Sequence, residues 1–104
     1  MAVGFEITFR VEHDKRSEFL QTAESLLRPE PPVPGLEALA FFEEVGTPDS
    51  FLWRECWASE QQLEARLDSP TITTLLGAIE VLGSLRGIEI IQADPDPAAE
   101  TESG

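Results

Sequence analysis

Three features of the sequence predict an α+β sandwich, with helices laid over one face of a four-stranded antiparallel sheet. Apolar residues alternate along residues 4–12 and the short run 88–92 is rich in isoleucine, which places strands near both ends of the chain. Two more strand-like runs, 36–44 and 51–57, are joined by the turn-forming "VGTPDS". Between these segments, apolar residues recur at spacings of three and four over 14–27 and over 59–82, the periodicity of amphipathic helices.

In "GFEITFRVE" (4–12), Phe5, Ile7, Phe9 and Val11 fall on one side and Glu6, Thr8 and Arg10 on the other, so the first strand has a buried and an open face. From Asp14 the stripe becomes Phe19, Leu20, Ala23, Leu26 and Leu27, with Glu18 and Glu24 outside it. That helix must end by Arg28, because "PEPPVPG" (29–35) cannot continue it. Leu36–Glu44 and Phe51–Trp57 form an antiparallel hairpin, since so short a link leaves no room for a crossover. Ser59, with Gln62 three residues on, makes a capping box for a short helix carrying Leu63 and Leu67. Ser69 caps the next helix, with Pro70 at its first position and Ile72, Leu75, Leu76 and Ile79 as its stripe. Gly83 and Gly87 bracket the exit into the last strand, "IEIIQ" (88–92).

The order strand, helix, strand, strand, helices, strand is the split βαβ arrangement of a ferredoxin-like sandwich. Its helices cover one face only. Whether Leu36, Ala38, Ala40 and Phe42 face the helices, or the reverse, large apolar groups remain on the open sheet, so a homodimer joined sheet to sheet is expected. The folded domain spans 1–92. The remaining "ADPDPAAETESG" (93–104) is acidic, proline-bearing and without any apolar residue larger than alanine, and is expected to be a disordered tail.

Length and charge narrow the function. The 104 residues suffice for one domain with a modest core. With 20 acidic against 7 basic residues and a net charge of −13, the chain would repel nucleic acid and anionic membranes, neither of which is expected as a partner. A single cysteine excludes an internal disulfide, and neither a signal segment nor a membrane span is legible, so a cytoplasmic, reducing setting is expected. His13 and Cys56 are too far apart for a short chelating motif, and Gly77, Gly83 and Gly87 lack the spacing of a phosphate loop; no metal and no cofactor is expected.

The stretch "FLWRECWASEQQLEARL" (51–67) holds both tryptophans and the lone cysteine. Phe51, Trp53, Glu55 and Trp57 share one strand face, which is too aromatic to lie in water. A carboxylate there must be paired, hydrogen-bonded or protonated. As a catalytic group, Glu55 would be the general base that takes a proton from a phenol or an acidic carbon, leaving an electron-rich anion able to meet O2; as a structural one it would be tied to Arg66, Arg54 or a backbone amide. Arg66, at the edge of the next helix's buried stripe, would hold an anionic oxygen or else snorkel to water. Phe51, Trp53 and Trp57 would wall a pocket for a flat ligand or simply fill the core. His13 reads as a helix-start residue, and Cys56, of opposite parity to the tryptophans, as a small filler on the open face.

"FLWRECWASEQQLEARLDSP" resembles the antibiotic biosynthesis monooxygenase (ABM) domain family, in which an aromatic strand runs into Glu-x-Trp, a Ser or Thr cap, a Leu and an "aHl.sp"-like segment. The matching residues are Glu55, Trp57, Ser59, Leu63 and "ARLDSP" (65–70), supported by "HDKRSEFL", Pro34-Gly35 and "GTPDSF". The resemblance implies a ferredoxin-like monomer that forms a dimeric α+β barrel and holds a small organic ligand between helices and sheet. It implies a cofactor-independent monooxygenase acting on a small aromatic or enolisable molecule; the alternative is a non-enzymatic dimeric binding or accessory domain with the same fold. Arg66 stands where many members carry a histidine, so a histidine base would need a substitute here. The position of the haem-ligating histidine of haem-degrading members falls near Leu76, which leaves haem without its ligand.

Overall fold

The computed structural model describes residues 3–28 and 33–92. The expected tail, 93–104, and part of the proline-rich connection, 29–32, lie outside the described residues. The elements follow the expected order: β1 (Val3–Val11), a 3-10 turn at His13–Lys15, α1 (Arg16–Leu26), β2 (Leu36–Glu43), β3 (Ser50–Trp57), α2 (Glu60–Leu67), α3 (Pro70–Leu82) and β4 (Gly83–Gln92). The sheet runs β2-β3-β1-β4 with every neighbouring pair antiparallel. This is an α+β, ferredoxin-like fold.

The alternation of β1 becomes its burial: Phe5, Ile7, Phe9 and Val11 are shut away beneath the helices. They meet Phe19 and Ala23 of α1, Leu63 of α2, and Ile72, Leu75, Ile79 and Leu82 of α3, with Phe51, Trp53 and Trp57 completing the core from β3. Each such side chain contributes about 1.5–3 kcal/mol by leaving water. At one end, Phe9, Phe19, Phe41 and Phe51 pack ring to ring, with centroids 5.1–6.2 Å apart. Both caps form as the sequence requires. Ser59 Oγ accepts from the Gln62 amide at 3.2 Å, and Ser69 Oγ from the Ile72 amide at 3.4 Å.

Two bulges on the edge strands break simple alternation. In β2, Leu36 lies opposite Trp57 but Ala38 lies opposite Cys56, so Glu37 is the extra residue. Leu36 therefore joins Leu39 and Phe41 on the helix side, while Ala38, Ala40 and Phe42 take the open face; neither of the two groupings expected from strict alternation holds. In β4, Gly87 faces Thr8 and Leu85 faces Phe9, leaving Arg86 as the extra residue. The strand begins at Gly83, earlier than the isoleucine run suggests. A Cβ on Gly83 would sit 1.9 Å from the Arg10 carbonyl oxygen, so the absence of a side chain is what lets the chain leave α3 directly into the ladder.

The open face carries Glu6, Thr8 and Arg10 of β1 and Leu52, Arg54 and Cys56 of β3. Arg54 is ion-paired to Glu6 and lies over the Phe42 ring, 5.8 Å from its centroid. Phe42 remains 48% exposed. The helices do not reach over β4, whose Leu85, Ile88 and Ile90 are also exposed although they share the helix-side face.

Candidate functional site

β3 pairs Glu55 with Phe5 on one side and Leu39 on the other, which fixes its side chain on the helix side of the sheet. The residue is fully buried. Its two oxygens receive four donors: Trp53 Nε1 at 2.9 Å, Trp57 Nε1 at 3.0 Å, Arg66 Nε at 2.9 Å and Arg66 Nη2 at 3.0 Å. The period of two along β3 puts the indoles at i−2 and i+2, so both flank the carboxylate on one face. The Ser59 cap starts α2 at a point that carries Arg66 above the same spot, and its guanidinium lies 5.5 Å from the Trp57 ring centroid. Arg66 is 6% exposed and forms the outer wall of the group.

Charge is balanced within the clamp. A bidentate arginine-carboxylate pair is the strongest kind of protein ion pair, and the indoles satisfy the lone pairs the arginine leaves. Of the residues singled out in the sequence, Glu55, Arg66, Trp53 and Trp57 thus come together. Phe51 stands apart, at the far end of β3 in the phenylalanine cluster, with the Arg16 guanidinium 5.4 Å from its ring centroid. Cys56 is half-buried on the open face beside Gly4 and Ala38. Leu76 is a partly buried residue packed against the core from α3.

A second polar cluster was not legible in the sequence. Arg16, the first residue of α1, donates to Glu43 Oε1 at 2.6 Å and to Asp49 Oδ1 at 2.9 Å; His13 Nδ1 lies 3.0 Å from Asp49 Oδ2, and the Asp49 amide donates to Glu43 Oε2 at 2.9 Å. Asp49 adopts φ 70°, a left-handed conformation that aspartate tolerates better than most residues. The Arg16 hydrogen bonds, first of all, hold the Glu43 carboxyl down to about 2 and the Asp49 carboxyl below its ordinary value, while Glu43 and then Asp49 hold the guanidinium firmly protonated. The group fastens the start of α1 to the β2–β3 turn. The signal was the charged residues flanking that turn, but only the pairing of the Asp49 carbonyl with the Val11 amide reveals that β1 delivers "HDKR" to the same place.

Two clefts lie near the turn. One, of about 420 Å3, opens over the His13, Arg16 and Asp49 group; the other, of about 300 Å3, lies on the open face between Phe42, Leu52, Thr8 and Arg86. Among the described residues there is no group of three or more His, Cys, Asp and Glu able to hold a metal ion, and no helix is long and apolar enough to cross a membrane.

The fold matches known proteins. A conserved protein from Methanosarcina mazei superimposes with a TM-score of 0.79 at 18% identity, over 90% of this chain and 94% of its own. Rv0793 from Mycobacterium tuberculosis gives 0.75 at 18% identity, over 94% and 99%. SnoaB, a cofactor-independent oxygenase from Streptomyces nogalater, gives 0.65 at 19% identity, over 93% and 97%. At these identities the likeness is one of fold. No curated protein matches the chain by sequence. The family model for antibiotic biosynthesis monooxygenase matches residues 2–76, which include β3, α2 and the whole Glu55 clamp, and the chain belongs to that family.

Proposed function

We propose that the protein is a cofactor-independent monooxygenase acting on a small aromatic or enolisable molecule, with Glu55 as the base, Arg66 as the anion-holding group, and Trp53 and Trp57 as walls. Phe51, more remote, would bound the far end of the same interior. The observation that carries this reading is a fully buried carboxylate gripped by an arginine and two indole N–H groups inside an ABM domain. In the reaction, a substrate hydroxyl or acidic C–H displaces Arg66 from one Glu55 oxygen and gives that oxygen its proton. Arg66, the member with a route to the surface, turns to the new oxyanion. The anion passes electrons to O2; one oxygen atom becomes a substrate carbonyl and the other leaves as water with the substrate's two hydrogens, so no external reductant is needed. Oxygen uptake with a panel of hydroxynaphthalene-type compounds tests this. Glu55→Gln, checked for folding by circular dichroism, is expected to cut uptake by about 10²-fold or more, the usual worth of a positioned base. Unchanged turnover in Glu55→Gln and in the milder Arg66→Lys would remove both residues from the chemistry.

A second reading is favoured by the saturation of Glu55, whose lone pairs are all engaged in the ligand-free chain. A dimeric binding or accessory domain would keep the clamp as a brace, and would show ligand-dependent stabilisation without oxygen uptake. Both readings pair two copies through the open sheet face, supported by the exposure of Phe42 there. A cytoplasmic setting suits the unpaired Cys56.

A further inference from the structure

The open face differs from one edge to the other. In one row Phe42 and Leu52, on β2 and β3, stand beside Thr8 and Gly87, on β1 and β4. Phe42 is 48% exposed, and between it and Arg86, the extra residue of the β4 bulge, lies the cleft of about 300 Å3. Nothing within the chain requires glycine at position 87. Its backbone lies outside the left-handed region, and the nearest atom a Cβ there would meet, chain neighbours aside, is Thr8 Oγ1 at an ordinary 3.6 Å. Such a glycine within a strand marks a place where another group approaches closely. One end of the face holds unengaged polar groups. Ser50 is 8% exposed, and its buried Oγ has no hydrogen-bond partner, an exception that points to a missing one. Beside it, Glu44 at the β2 rim and Arg10 and Arg86 on the β1 and β4 side are exposed and make no ion pair among the described residues. A chain of net charge −13 thus sets three of its seven basic residues, Arg10, Arg54 and Arg86, on one sheet face.

We infer, on the sheet-to-sheet pairing proposed above, that two copies meet about a two-fold axis running along the strands between β1 and β3. Phe42 of each copy then seats over the partner's Gly87, and Glu44 and the Ser50 hydroxyl of each receive the partner's Arg10 and the partner's Arg86. Turning a copy about that axis lays β4 over the partner's β2 and β1 over the partner's β3, and keeps each row opposite itself. Large groups then meet small ones: Phe42 the partner's Gly87, Leu52 the partner's Thr8, Ile91 the partner's Ala38. Side chains that complement each other in this way fill the gap of about 10 Å between packed sheets. Arg54 falls over the partner's Glu6, so the two ion pairs join into a group of four alternating charges. At the end of the face, the acceptors of one copy lie against the donors of the other, and the symmetry makes the contact twice. An axis across the strands, midway along the face, would instead set each strand on its own copy, placing Arg54 over Leu52 and the Ser50 hydroxyl over Cys56. It satisfies neither.

The test is the mass of the full chain by sedimentation equilibrium, in salt high enough to make the parent dimeric, with circular dichroism to confirm that each variant folds. Gly87→Leu, which a single copy accommodates, is expected to weaken association about tenfold or more by filling the seat of Phe42. Glu44→Arg in one variant, and Arg10→Glu with Arg86→Glu in another, set like charges against each other across the pair. Each should weaken association about a hundredfold or more. An equimolar mixture of these two variants should regain the dimer, because every such contact in the mixed pair again joins opposite charges. A parent that stays monomeric at every salt and protein concentration would overturn the pairing and the register together. A dimeric parent whose association is untouched by Gly87→Leu, or charge variants that do not recover on mixing, would overturn the register and leave the pairing standing.

Discussion

Glu55 accepts four hydrogen bonds from three side chains, and every one of those partners is itself buried. Removing the carboxylate leaves the Arg66 charge and two indole donors without an acceptor. Glu55→Ala is therefore expected to cost about 3–5 kcal/mol of stability, the range for breaking a buried ion pair from one side. The double substitution Glu55→Leu with Arg66→Met should recover only part of that loss, because it removes the unpaired charge but leaves the two indole N–H groups without an acceptor. Urea unfolding of the unsubstituted chain and the two variants checks both statements, and a loss below about 1 kcal/mol in Glu55→Ala would show that the clamp is not the brace its geometry describes. Parity along β3 already grouped Glu55 with the two tryptophans, and the sequence offered Arg66 as one partner among several. That both indole nitrogens converge on the same carboxylate depends on rotamers, which spacing alone does not determine.

At the level of elements, the tether between α1 and the β2–β3 turn should govern acid stability. Glu43 has its carboxyl lowered from an ordinary 4.5 to about 2, so its contribution is complete above about 4.5 and fades as pH falls toward 2. Asp49 moves in the same direction and adds to the same window. Glu43→Gln should flatten the fall in stability between these limits, read as the unfolding midpoint in urea against pH; an unchanged slope would show that the pair with Arg16 does not persist in solution. The order and kind of the elements were readable because each carries its own periodicity and cap: Ser59 and Ser69 mark helix starts within a residue. The faces of β2 and the start of β4 were not, because Glu37 and Arg86 are bulge residues, and one extra residue inverts the parity on which such readings rest. The Arg16 tether escaped for a different reason. Its members lie far apart in sequence and meet only once β1 and β3 are in register.

The whole chain combines a net charge of −13 with apolar groups left open on the sheet, two properties that oppose each other in self-association. Like-charged copies repel over the screening length, about 8 Å at physiological ionic strength. The proposed dimer should therefore tighten as salt is raised, with light scattering on a size-exclusion column showing twice the monomer mass at micromolar concentration and a smaller species at low salt. A monomer at every salt concentration would contradict the sheet-to-sheet pairing. Family membership frames the proposed reaction, but the choice between a reactive and a purely structural Glu55 turns on whether a ligand opens the clamp.

That choice is met most directly by an anaerobic titration with a hydroxynaphthalene, following the two indole N–H resonances that report the bonds from Trp53 and Trp57 to Glu55. The proposed function predicts that both resonances shift saturably, because the substrate hydroxyl competes for the same carboxylate oxygens. Indole signals that stay fixed while the ligand binds elsewhere would contradict it, and would leave Glu55 as a structural brace.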